Sequence, residues 1–147
     1  MEYLVGVDGS EESMEALAYA SDIADAMNGS ITAVYAVDPT VFDEGGTEPI
    51  SSLSDADQRL IVESMADAEQ RGLDVLEDAV SFAAELGHDI ETELVYGDPV
   101  EEIADYAEEF DAVFVGHRGR SERTQLMLGS VAKQLVERAT VPMTVVR

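Results

Sequence analysis

Ile31-Thr32-Ala33-Val34-Tyr35-Ala36-Val37 is a nearly continuous apolar run. Such a run reads as a strand buried on both faces, as in a parallel sheet covered by helices on its two sides. The rest of the chain repeats the theme. Tyr3-Leu4-Val5-Gly6-Val7 ends at Asp8-Gly9-Ser10, and Ser10 is a good N-cap for a helix running to about Met27. Glu11 and Glu12 favour that helix's positive end, and Met14, Leu17, Ala18, Ser21 and Ala24 give it a small-residue face suited to close packing. Asn28-Gly29 closes it. Asp38 to Ser54, with two prolines and two glycines, reads as a mobile surface loop. Helical spacing returns from about Asp55 to Leu86, with Gly72 a point of weakness or bending and Gly87 a stop. His88 to Tyr96 alternates like a strand, with His88 facing solvent. Asp98-Pro99-Val100-Glu101 combines an N-cap, an N1 proline and an N3 glutamate, and predicts a helix to about Phe110. Ala112 to Val115 is a fourth strand, Ser130 to Ala139 a last helix and Val141 to Val146 a fifth strand. Repeated strand–helix alternation predicts an α/β fold, an open parallel sheet with helices on both faces. Its ligand crevice belongs at the C-terminal ends of the strands. Asp8, Val37-Asp38 and Gly116 lie at such ends.

At 147 residues the chain reads as one domain spanning 1–147. The formal net charge is −24, with only one lysine, Lys133. A broad nucleic-acid-binding face needs clustered Lys and Arg, so that class is set aside. So is disorder, since 46% of residues are apolar and strongly patterned. No apolar run approaches the roughly 20 residues that span a bilayer. Met1-Glu2-Tyr3 lacks the basic start of a signal peptide, and there is no cysteine. The expectation is a soluble, cytoplasmic protein without disulfides. Abundant carboxylate with scarce lysine points to a halophile, whose salt screens the self-repulsion. Dialysis to low salt is therefore expected to lower the melting temperature, and a salt-independent melt would refute the halophile reading.

The charge is not evenly spread. From residue 112 onward there are six basic and two acidic residues, about +4; residues 1–111, with two basic and thirty acidic, carry about −28. The basic piece holds Gly116-His117-Arg118-Gly119, nine further residues, then Gly129-Ser130. Gly116 and Gly119 let the backbone approach a ligand and take positive φ, and Gly129-Ser130 begins a helix whose N–H groups and dipole favour an anion. The Ser130 hydroxyl either donates to a phosphate or caps its own helix. Asp8 is either a ligand contact or an Asx-turn before the first helix. Arg118 and Arg120 either neutralise phosphate or pair with surface acids. His117 has no base partner in sequence and reads as backbone-shaping or superficial.

With these motifs the chain resembles the universal stress protein family over nearly its whole length. The family's nucleotide loop, G-x2-G-x9-G-[S/T], matches at Gly116, Gly119, Gly129 and Ser130. The opening Val7-Asp8-Gly9-Ser10 and the ending Val141-Pro142…Val145-Val146 match too. The resemblance implies a five-stranded, Rossmann-like parallel sheet of order 3-2-1-4-5 and membership of the ATP-binding subclass. By position it places Asp8 and the backbone of Ala36 near the adenosine, and Val115 and Gly116 beside the ribose. Arg118, Gly119, Gly129, Ser130 and Val131 then surround the phosphates. It also implies a homodimer through the last strand, Val141 to Val146, an edge that pairing would satisfy. The stretch Ser121-Glu122-Arg123-Thr124-Gln125 departs from the family in being more polar, and an inward Glu122 would repel a triphosphate.

No dedicated catalytic motif accompanies the loop. There is no Gly-Lys-[Ser/Thr] phosphate loop, no G-x-S-x-G elbow and no His-x-x-x-His pair. Two isolated histidines nominate no transition-metal site, and Mg²⁺ would arrive with ATP. The leading expectation is a cytoplasmic, ATP-binding stress-response protein acting as a dimeric binding or signalling module. The alternatives are a nucleotide-free regulatory protein of the same fold, or a slow nucleotide-hydrolysing or adenylate-transferring enzyme.

Overall fold

Capping chemistry sets the helix starts. The Ser10 hydroxyl accepts from the Ser13 N–H at 3.1 Å, and the Asp98 carboxylate from the Glu101 N–H at 3.1 Å, each satisfying an N–H of a first turn. In the computed structural model, which describes residues 1–38, 55–118 and 128–147 (for 55–64 the backbone only), these caps open two of four helices. The element order is β1 (Glu2–Gly6), α1 (Glu11–Met27), β2 (Ser30–Val37), α2 (Asp55–Glu85), β3 (Glu91–Tyr96), α3 (Pro99–Ala107), β4 (Ala112–Gly116), α4 (Ser130–Arg138) and β5 (Met143–Val146). The expected loop beyond Asp38 lies outside the described residues, as do Gly119, Arg120 and Ser121–Gln125.

All strand pairs are parallel, in the order β3-β2-β1-β4-β5, as the resemblance implied. The central strand shows why two helical layers are needed. Tyr3 and Val5 of β1 point to one face, where Ala16, Leu17, Ala20 and Ala24 of α1 and Val75, Leu76, Ala79 and Ala83 of α2 cover them. Leu4 points to the other, against Val100, Ile103, Ala104 and Ala107 of α3 and Ala132 and Leu135 of α4. Period-2 alternation on a doubly buried strand thus feeds two separate cores. Among the described residues no helix is long and apolar enough to cross a membrane.

Several local expectations shift. The buried stripe of α1 is Ser13, Ala16, Leu17, Ala20, Ser21 and Ala24, rotated from the expected one, so Met14 and Ala18 are only half-buried. α2 is continuous through Gly72, where an added Cβ would lie 2.7 Å from the Tyr35 ring and 2.9 Å from Leu94. The glycine brings the helix down onto the sheet instead of bending it. β3 begins at Glu91 because His88 closes α2: with Gly87 at φ +85°, the His88 N–H donates to the Ala83 carbonyl at 2.9 Å. The His88 side chain is 14% exposed and lies 3.1 Å from Asp25, so it is not solvent-facing. β5 starts at Met143, since Pro142 has no N–H to give a ladder.

Candidate functional site

At the C-terminal ends of β1, β2 and β4 the two cores part around a cavity of about 540 Å³. Each strand turns away there for a local reason. After β1, the Asp8 carboxylate accepts from the Ser10 N–H at 2.9 Å, the Asx-turn geometry, and Asp8 also lines the cavity. Within the last residues of β2, Tyr35 and Ala36 supply one wall. After β4, the His117 N–H donates to the Val146 carbonyl at 2.8 Å, and its own carbonyl accepts from the Gly129 N–H at 2.6 Å. His117 therefore ties the start of the glycine loop to β5 and to the entry of α4, a backbone role.

Gly116 lines the cavity, but its lack of a side chain answers to packing as well. A Cβ there would lie 2.8 Å from both the backbone carbonyl carbon and oxygen of Glu12. Positive-φ glycines among the described residues are Gly9, Gly87 and Gly97, so the positive φ expected at Gly116 is not present. The residue is glycine because the end of β4 and the first turn of α1 touch backbone to backbone.

Opposite stands α4, whose first-turn residues Ser130, Val131 and Ala132 line the cavity. Its N-cap is Gly129, which makes no side-chain cap, whereas α1 and α3 are capped by Ser10 and Asp98. Ser130 is thus the first helical residue and not the cap of its own helix. The positive end of the α4 dipole is presented to the cavity wall, and the first turn of α4 contains no acidic residue.

Arg118 also lines the cavity. Its guanidinium Nη2 lies 2.8 Å from Glu12 Oε1, with the two side chains 18% and 17% exposed. Arg118 Nε and His117 Nδ1 are buried without hydrogen-bond partners among the described residues. The Glu12 carboxyl is held below its ordinary range by a hydrogen bond with its own backbone N–H and, against the opposing effect of burial, by Arg118 beside it. Arg118 thus pairs with an acid and lines the cavity at the same time.

Asp8, Ala36, Val115, Gly116, Arg118, Ser130 and Val131 thus come together around one space. Gly129 stands behind it as the α4 cap, and Gly119 lies outside the described residues. Sequence reading missed other walls: Tyr35, Pro99, Ile103, Leu135 and Arg71. Arg71 had a usable signal. It is one of only two basic residues before position 112, and its neighbour is the glycine that presses α2 onto Tyr35. Among the described residues no group of three or more His, Asp or Glu side chains is placed to hold a metal ion.

A model of the universal stress protein family matches residues 2–147. Two relatives bearing that family name are each 31% identical to the chain. One, from Methanocaldococcus jannaschii, aligns over 98% of this chain and 80% of its own length; YxiE of Bacillus subtilis aligns over 98% and 97%. Among solved structures, the UspA protein of Lactobacillus plantarum superposes with a TM-score of 0.80 at 24% identity, covering 100% of this chain and 97% of its own. A universal stress protein in complex with cAMP gives 0.69 at 26% identity, covering 100% and 97%. One from Archaeoglobus fulgidus in complex with dAMP gives 0.70 at 21%, covering 100% and 98%. On its sequence as much as on its sheet order, the chain belongs to the universal stress protein family.

Proposed function

We propose that the protein binds an adenine nucleotide in the cavity at the strand ends and serves as a binding or signalling module. One observation carries this reading: Gly116 and Ser130 of the family's loop motif line one cavity, at the N-terminus of a helix whose N-cap, Gly129, has no side chain. The apolar walls from Ala36, Val115 and Ile103 suit a base and ribose, and the α4 end suits a phosphate. Relatives described in complex with cAMP and dAMP support an adenine ligand. ATP remains the ligand of first choice, with Mg²⁺ carried on its own phosphates. Gly119 joins the phosphate site by the motif alone. The module acts in the cytoplasm as a single domain and as a homodimer through β5, which among the described residues is an edge strand paired only to β4.

Denaturing the purified protein and chromatographing the supernatant is expected to release adenine nucleotide, and calorimetric titration in high salt to show binding of ATP and AMP. Ala36→Phe, which fills the cavity from β2, should weaken that binding by about tenfold or more while the protein still melts cooperatively. Absence of both co-purified nucleotide and binding heat would defeat the proposal. Turnover well above a trace rate would instead favour the enzymatic alternative.

A further inference from the structure

Glu12 is not itself a lining residue of the cavity, but it pairs with one, Arg118, and so does for that guanidinium the electrostatic work a ligand's anionic group would do. Its carboxylate lies 2.8 Å from Arg118 Nη2, whose residue lines the cavity wall. Its backbone is clamped against Gly116, so only the side chain is able to retreat. Arg118 meanwhile has a buried Nε–H without a partner among the described residues. Glu11, one residue earlier, is exposed and forms no ion pair among the described residues.

We propose that Glu12 is an internal competitor for the ligand's anionic end: it pairs with Arg118, and an anionic nucleotide gains that guanidinium only by displacing the Glu12 carboxylate. The inference rests on the nucleotide-site reading and assigns that site a built-in preference. Every anionic ligand must break the pair before using Arg118, whereas a neutral nucleoside leaves it intact. The pair therefore lowers affinity for nucleotides relative to adenosine. Phosphate-dependent occupancy also frees a carboxylate at the start of α1, an electrostatic change at the site's edge that adenosine does not produce.

The experiment is calorimetric titration of adenosine and AMP into the full chain and three variants at one fixed salt concentration. Glu12→Gln should bind AMP about tenfold tighter with adenosine affinity unchanged, since a partly buried charge competitor is removed. Glu12→Asp keeps the charge but shortens the arm, and should move AMP in the same direction by about threefold. Glu11→Gln removes the same charge from the exposed neighbour and should change AMP affinity by less than about twofold. Binding of AMP unchanged or weakened in both Glu12 variants overturns the inference and makes Glu12 a residue that orients Arg118 for the ligand. An equal gain in Glu11→Gln also overturns it, as a general field effect. If the unaltered protein binds neither adenosine nor AMP, the nucleotide-site reading itself has failed. Glu12→Asp serves as the deciding variant should Glu12→Gln not fold.

Discussion

Replacing Gly116 by alanine is expected to lower the unfolding free energy by about 3 kcal/mol, measured by urea denaturation, through overpacking that the backbone cannot relieve. The new methyl would sit 2.8 Å from the backbone carbonyl carbon and oxygen of Glu12 and 3.0 Å from its Cβ. Backbone atoms have no rotamer into which to retreat. Either β4 moves, breaking its register with β1 and β5, or α1 lifts from the sheet and exposes Leu17 and Ala20. Gly6→Ala is the control on the neighbouring strand. There the methyl meets the Val115 and Ile103 side chains at 3.3 and 3.7 Å. A small rotation absorbs the first contact, so the loss should stay below about 1 kcal/mol. Equal effects at the two positions would show that α1 is free to yield and that the backbone contact is not limiting.

Leu135→Ala is expected to cost about 3 kcal/mol by the same measurement, within the range for truncating a buried leucine. Leu135 is 0% exposed on α4, packed in the core with Leu4, Val113 and Ile103, and also lines the cavity. Its loss joins new empty volume to a space already present, so the surroundings have little to collapse onto. Val131 lines the same cavity one turn earlier but is 40% exposed. Val131→Ala should therefore change stability by no more than about 0.5 kcal/mol. A Leu135→Ala protein as stable as the parent would mean that α4 is not anchored through this residue.

Much of the fold was legible because its determinants are local. Ser10, Asn28-Gly29, Asp98-Pro99 and Gly87 act within a few residues of themselves, and each marks the helix end it was assigned. The apolar run at Ile31 demanded a doubly covered strand, and the structure supplies both covers. The misreadings share a different cause. Which stripe of α1 is buried depends on the angle at which it meets β1 and β4, and His88 is sheltered by Asp25, 63 positions earlier. Arg71, Tyr35 and Ile103 reach the cavity only because three separate crossovers bring α2, β2 and α3 to one sheet edge. At Gly116 the residue type was legible while its reason was not, since glycine's absent side chain serves close packing and ligand approach alike.

The cavity is lined from both of the cores that the sheet otherwise keeps apart. Val7 and Tyr35 bring the α1–α2 side to it, and Ile103, Ala132 and Leu135 bring the α3–α4 side. An occupant of that space is therefore a keystone in the mechanical sense. It would touch both hydrophobic layers at once, on either side of β1 and its neighbours.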